Sequence, residues 1–156
     1  MVMASPWFNI PPAAREPASA GRNIALLVVG ASEENLRPLR CMARSLGWDL
    51  CESPNCRDGL ACLREALFPV VLCEESLPDG NWRFLVEEIG KLACPPNLIV
   101  ASRFADNSLW AEALNLGAYD LLVIPCEAEE TRRVVSLAWE SKCREWAESA
   151  AAVRRP

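Results

Sequence analysis

Five short apolar runs alternate strictly with five segments of helical periodicity along this chain. Uninterrupted apolar strands are buried on both faces, which indicates a parallel sheet covered by helices. The second run is mixed in character and suits an edge position. The pattern predicts an α/β fold with a doubly wound five-stranded parallel sheet of order 2-1-3-4-5. The predicted strands are 23–30, 48–53, 69–74, 97–102 and 119–125, and the predicted helices are 32–47, 57–68, 81–92, 106–117 and 127 to about 152.

The length of 156 residues favours a single domain with a sizeable core. Residues 22–140 form the predicted folded domain, and residues 141–156 a helical extension of the last helix with a C-terminal tail. Residues 1–21 are rich in Pro, Ala and Ser without a period, and predict a flexible N-terminal tail. Trp7, Phe8 and Ile10 are an apolar patch in that tail, and docking of this patch on a surface is an alternative.

Composition and charge limit the classes of function. The net charge of −5 opposes nucleic-acid binding, which requires clustered Lys and Arg. No run approaches the roughly 18 apolar residues that a membrane span needs, and no basic segment precedes an apolar core at the N-terminus. We therefore expect a cytoplasmic protein with no membrane or nucleic-acid partner.

The chain has eight cysteines and no histidine. No cysteine pair has C-x-x-C spacing, so the pattern does not favour a zinc site. Several cysteines fall within apolar strands or helix faces, where a reduced thiol acts as a small apolar side chain. We expect no disulfide framework in a cytoplasmic domain of this size.

The residues that follow the predicted strands are the first candidates for a functional site, because doubly wound folds bind ligands at the carboxyl ends of their strands. The segments "LLVVG" (26–30), "LCEESLPDG" (72–80), "LIVASR" (98–103) and "LNLGAYDLLVIP" (114–125), at this separation, resemble the receiver domain of two-component response regulators. The resemblance covers residues 23 to about 140. It implies a flavodoxin-like receiver fold and a role in phosphorelay signal transduction.

In that family, an acidic pair after the first strand and an aspartate after the third hold magnesium, and the aspartate accepts the phosphoryl group. A Ser or Thr after the fourth strand and a Lys after the fifth contact the phosphoryl oxygens. Here Gly30 and Ala31 occupy the acidic pair, Glu74 the acceptor position and Ile124 the lysine position. Of these positions, only Ser102 has the residue type that the family uses. Leu121 fills the position of the family's switching aromatic, with Tyr119 two residues earlier.

Neighbouring acidic residues are not expected to replace the missing acidic pair. Glu33 and Glu34 suit the first turn of a helix capped by Ser32. Glu75 is expected to point to the opposite side of its strand from Glu74. Asp79 is expected to form local hydrogen bonds in its Pro-Asp-Gly turn.

Glu74 has three interpretations: a solvated strand-end carboxylate, a mimic of the phosphorylated state, and a residual magnesium ligand or acceptor. Phosphoryl transfer depends on cations that offset the oxygen charges, and the lysine and acidic pair are missing. We therefore expect a degenerate pseudo-receiver with no enzymatic activity, no metal and no cofactor. The alternative is a receiver still regulated by phosphorylation or by a small ligand, because Gly30, Ala31 and Ser102 leave space at the altered pocket.

A receiver that accepts no phosphoryl group must act through surfaces. The resemblance implies the face formed by the fourth helix, fifth strand and fifth helix, and Trp is frequent at binding hot spots. Trp110, Val135, Trp139 and Trp146 are the candidate interface residues, and packing of the tryptophans in the local core is the alternative. We expect a homodimer or a protein partner on this face and on the last helix, although that helix could also simply fray.

Two other classes of function have weak support. "VVGASEEN" follows a strand and opens a helix, as dinucleotide-binding loops do, but it lacks the required glycines. No nucleophile–base pair supports a hydrolase. A redox role for Cys73 requires a reactive thiol, which a buried cysteine does not provide.

Overall fold

The computed structural model describes residues 24–153. Its main feature is a sheet of five strands whose neighbours all pair in parallel. The strand order is 2-1-3-4-5 in chain numbering, which confirms the predicted fold. The five strands are β1 (Ala25–Val29), β2 (Asp49–Ser53), β3 (Val70–Glu74), β4 (Asn97–Ser102) and β5 (Asp120–Val123).

Five helices cover the sheet, with α1 and α5 on one face and α2, α3 and α4 on the other. The second helix ends three residues earlier than its periodicity predicts. Ala66 is already extended, and Pro69 disfavours helical backbone at Phe68. The helices are α1 (Glu33–Leu46), α2 (Cys56–Glu65), α3 (Trp82–Gly90), α4 (Asn107–Leu116) and α5 (Ala128–Val153).

The core has two layers, one on each side of the sheet. In β1, Leu27 and Val29 pack towards α2 and α3, whereas Leu26 and Val28 pack towards α1 and α5. These four side chains are at most 1% exposed. This two-sided burial explains why the strand reads as a continuous apolar run.

A small antiparallel hairpin lies between β3 and α3, formed by Ser76–Leu77 and Gly80–Asn81. The sequence indicated only a turn in this segment. Asn81 ends the hairpin and caps α3, since its side-chain oxygen accepts hydrogen bonds from the backbone N–H groups of Arg83 and Phe84.

Helix α5 continues without interruption for 26 residues, or roughly 39 Å at 1.5 Å per residue. Packing continues past residue 140: Lys142 is 5% exposed and its ammonium donates to Glu145 at 2.8 Å. The N-terminal tail of residues 1–21, with Trp7, Phe8 and Ile10, lies outside the described residues. Within 24–153, no helix is both long and apolar enough to cross a membrane.

Candidate functional site

The carboxyl ends of β1, β3, β4 and β5 meet at one edge of the sheet. Glu74, Ser102 and Ile124 line one cleft there together with Ser32 and Asn35 from the start of α1. The parallel register brings these strand ends together, because Glu74 pairs with Ala101 and Ser102 with Val123. Three of the positions selected from the sequence, Glu74, Ser102 and Ile124, are therefore neighbours in space, whereas Gly30 and Ala31 do not line this cleft.

Gly30 is held in a conformation that strains any residue with a Cβ atom. Its φ is +71°, and a Cβ atom added there would lie 2.1 Å from Cδ2 of Leu77. Its backbone N–H donates to the carbonyl oxygen of Ser53 at 2.8 Å, which fixes the strand end. Leu77, on the hairpin, thus occupies the space into which an acidic side chain at position 30 would project.

Glu74 is bound to the N-terminal turn of α1. The side-chain amide of Asn35 donates to Oε1 of Glu74, and the backbone N–H of Ser32 donates to the same oxygen at 3.4 Å. The positive end of the helix dipole favours a carboxylate at this place. Glu74 is therefore a half-buried carboxylate held by the protein, which replaces the interpretation of it as simply solvated.

Glu75 reaches the same cleft as Glu74, contrary to the expectation that it would point to the opposite side. The strand ends at Glu74, and Glu75 lies in a bend, so strand alternation no longer governs its direction. The Ser102 hydroxyl donates to Oε2 of Glu75 at 2.5 Å and accepts from the backbone N–H of Phe104 at 3.1 Å. The retained serine is thus occupied by contacts within the protein.

A magnesium ion does not fit these residues. Magnesium requires several hard oxygen ligands in near-octahedral order. Across residues 24–153, no group of three or more acidic, thiol or imidazole side chains is placed to hold a metal. The two carboxylates of the cleft are engaged separately, Glu74 with Asn35 and Glu75 with Ser102.

The acids at the start of α1 form ion pairs, and neither of them lines the cleft. Ser32 is the N-cap residue, but its side chain makes no capping hydrogen bond. Glu33 forms an ion pair with Arg40 at 2.5 Å, and Glu34 contacts Arg103 at 3.4 Å. Both glutamates lie in the first turn, as the dipole favours.

Asp79 joins the turn to another helix instead of bonding only within its own turn. Its carboxylate accepts hydrogen bonds from the backbone N–H groups of Cys56 (2.8 Å) and Arg57 (3.0 Å) at the start of α2. Partial burial opposes ionisation, but the N–H groups of Arg57 and Cys56 outweigh it and hold the pKa of Asp79 below its ordinary value.

Burial also decides the character of Cys73. The side chain is fully buried in β3, and this burial, with a smaller contribution from Cys56 and Glu74, raises the pKa of its thiol well above the ordinary value. A thiol that stays protonated is a poor nucleophile. The contacts of Cys73 therefore favour a packing role over a redox role.

No protein-family model matches the chain. The transcriptional regulatory protein ZraR of Salmonella typhimurium is 25% identical over 115 residues, which cover 74% of this chain and 26% of that protein. ZraR of Escherichia coli K12 is 24% identical over 116 residues, with the same coverage. The chain therefore spans about a quarter of the length of the curated relatives it matches.

Solved structures match over nearly their whole length. The signal receiver domain of an HD domain-containing protein from Pseudomonas fluorescens Pf-5 has a TM-score of 0.69 and 23% identity, covering 78% of this chain and 98% of that one. The chain has the receiver fold of response regulators. The receiver domain of a LuxO repressor protein from Vibrio parahaemolyticus (TM-score 0.73, 17% identity) is covered completely by 86% of this chain. The beryllofluoride-activated NtrC4 receiver domain dimer (TM-score 0.70, 22% identity) matches 76% of this chain and 98% of that one.

Sequence reasoning missed three residues of the cleft region. Leu77 fills the space beside Gly30, Asn35 holds Glu74, and Arg103 lines the cleft beside both glutamates. Arg103 directly follows Ser102, so its position after β4 was a signal that the sequence offered. Nothing in the sequence pairs Asn35 with Glu74, which are 39 residues apart.

The four candidate interface residues differ in accessibility. Trp110 on α4 is 50% exposed and available for contact. Val135 is fully buried in the layer between α5 and the sheet, so including it among surface residues was wrong: it lies on the inner stripe of its helix. Trp139 packs partly against the same layer, and Trp146 is half-buried with a buried indole nitrogen.

Proposed function

We propose that this receiver is a cytoplasmic, non-enzymatic signalling module that works without phosphorylation and acts through protein contacts. The observation that carries the proposal is the packing of Leu77 against Gly30. A phosphoryl group on a carboxylate needs cations around its oxygens. The place of one metal-binding acid is filled by an apolar side chain, and Ile124, 7% exposed, stands at the lysine position.

The first test is exposure to a small phosphodonor. After incubation with Mg²⁺ and acetyl phosphate, the intact mass of the chain is expected to remain unchanged, because the residues at the cleft do not assemble a cation site. The Glu74→Asp variant should behave in the same way, since it restores the acceptor but not its surroundings. A receiver with the full acidic pair, aspartate and lysine serves as the positive control. A phosphoryl adduct on Glu74, located by mass spectrometry, would contradict the proposal.

The candidate contact surface is the face formed by α4, β5 and α5. Large apolar side chains on all three elements are exposed: Trp110 (50%) on α4, Val123 (58%) on β5 and Leu137 (44%) on α5. β5 is also an edge strand of the sheet. Exposed apolar surface of this kind favours association. We infer a homodimer through this face, and the dimeric NtrC4 receiver domain, at 22% identity, supports the choice.

The second test is the oligomeric state. The full chain is expected to sediment as a dimer, and Trp110→Glu should shift it to the monomer, because burying an unpaired carboxylate in an apolar contact is costly. Leu46→Glu is the matched control: Leu46 is 42% exposed at the end of α1, away from this face. Sedimentation velocity measures both variants. A monomeric full chain, or an equal effect of the two substitutions, would contradict the homodimer.

A further inference from the structure

A second cavity, of about 260 Å³, lies between α1 and the segment that leads from β5 into α5. It shares Glu74, Asn35, Ala101 and Ile124 with the cleft at the strand ends but extends away from Ser102 under α1. The homodimer face does not use it. Its walls are mostly apolar, and the main wall residues are Val28, Leu39, Met42, Leu72, Ile124 and Pro125.

The charged groups at this cavity are acceptors. Glu34 and Glu74 are the charged residues that line it, and among residues 24–153 no Lys or Arg does. The hydrogen bonds from Asn35 and Ser32 both end on Oε1 of Glu74. Within the described part of the chain, Oε2 of Glu74 therefore accepts no protein hydrogen bond. Arg103 contacts Glu34 from outside the cavity, at 3.4 Å.

A proline in α1 also contributes no hydrogen-bond donor to this cavity. Pro38 lies inside the helix and lines the cavity. Because proline has no backbone N–H, the carbonyl oxygen of Glu34, one turn earlier, has no helical hydrogen-bond donor. The acceptor left for a ligand with N–H donors is therefore Oε2 of Glu74.

We propose that this cavity binds a small organic cation, namely a primary amine carried on a single ring by a short chain. The apolar walls hold the ring, and Oε2 of Glu74 accepts a charge-assisted hydrogen bond from the ammonium group. An apolar cavity of about 150 Å³ is large enough for benzene, so this one also accommodates the chain. The proposal rests on the cavity alone, deepens the ligand-regulated alternative for the receiver, and does not depend on the homodimer.

The ligand would contact two parts of the receiver at once. Its ring would touch Leu39 and Met42 on α1, and the opposite wall is formed by Pro125 and Cys126, which lead into α5. Because α5 belongs to the proposed contact face, occupancy of the cavity links a small molecule to that face.

Calorimetric titration of the full chain with 2-phenylethylamine tests the proposal. The amine is expected to bind, whereas 3-phenylpropionate, which has a similar shape and opposite charge, is expected not to. Glu74→Gln should weaken amine binding by about tenfold or more, the loss expected for one charge-assisted hydrogen bond. Glu75→Gln is the matched control with the same change of charge. It should leave the affinity within about twofold, because Glu75 does not line this cavity.

A second variant keeps the test valid if Glu74→Gln fails to fold. Ala31→Leu fills the cavity without any change of charge and should abolish amine binding, while its thermal unfolding shows that the fold persists. In amide NMR spectra, the amine should shift signals of the non-proline residues of α1, of Ile124 and of residues 126–128. Absence of amine binding, equal binding of the carboxylate, or equal losses from Glu74→Gln and Glu75→Gln would overturn the proposal.

Discussion

Replacing Trp82 by alanine is expected to lower the free energy of unfolding by about 3–5 kcal/mol. Trp82 begins α3, and it is the largest of the fully buried side chains, with 0% exposure. The guanidinium of Arg83 lies 4.9 Å from the centroid of its ring, which adds a cation–π contact. A loss of this size is a large part of the roughly 5–15 kcal/mol that stabilises a typical domain.

Two further substitutions make this expectation specific. Phe84→Ala removes a large aromatic side chain from a half-exposed site on the same helix, outside the proposed contact face, and should cost only about 1 kcal/mol, near the average for a point substitution. Trp82→Phe removes an indole N–H that has no partner among residues 24–153 but keeps most of the volume, so it should cost less than Trp82→Ala. Urea denaturation followed by circular dichroism measures all three. Equal losses at positions 82 and 84 would refute the assignment of Trp82 to the core.

The second large effect concerns position 30, where Gly30 takes the place of one member of the acidic pair of receiver domains. Gly30→Asp should lower the free energy of unfolding by about 2–6 kcal/mol. Two costs add up: a non-glycine residue at positive φ, about 1–3 kcal/mol, and overpacking against Leu77, about 1–3 kcal/mol. Ala31→Asp, one residue later, introduces the same carboxylate at a half-exposed site with ordinary backbone, and should cost about 0.5 kcal/mol or less.

A double-mutant cycle separates these two costs. In the Gly30→Asp background, Leu77→Ala should lower the free energy of unfolding by less than it does in the parent chain. The reason is that it relieves the clash with Cδ2 of Leu77. The cost of the positive φ should remain. If Gly30→Asp is as stable as the parent chain, or if it binds Mg²⁺, then the packing that carries the proposed function is not as described.

The apolar pattern was sufficient to predict the sheet, because strands buried on both faces leave a clear signal. It also placed Glu74, Ser102 and Ile124 at one edge, since the ends of parallel strands meet there. The periodicity of α5 did not distinguish Val135, which faces the core, from the exposed Leu137. Both are apolar residues on a long helix, and only the position of the sheet decides between them.

The missed features depend on contacts between segments that are distant in the sequence. Asn35 meets Glu74 because the turn after β1 brings α1 over the end of β3, and no local rule encodes that approach. The direction of Glu75 depends on where β3 ends. The burial of Trp82 follows from the hairpin before it, whose two-residue strands are too short to give a periodic signal.

The hydrogen bonds of Asp79 have a mechanical consequence for this protein. They anchor the loop that follows the acceptor position to the start of α2, so a displacement of the loop would deprive two helix amides of their acceptor. Since the pKa of Asp79 is depressed in the folded protein, this anchor is complete at neutral pH and is released only as acid protonates the carboxylate. At neutral pH, these two hydrogen bonds therefore tie the loop to the first turn of α2.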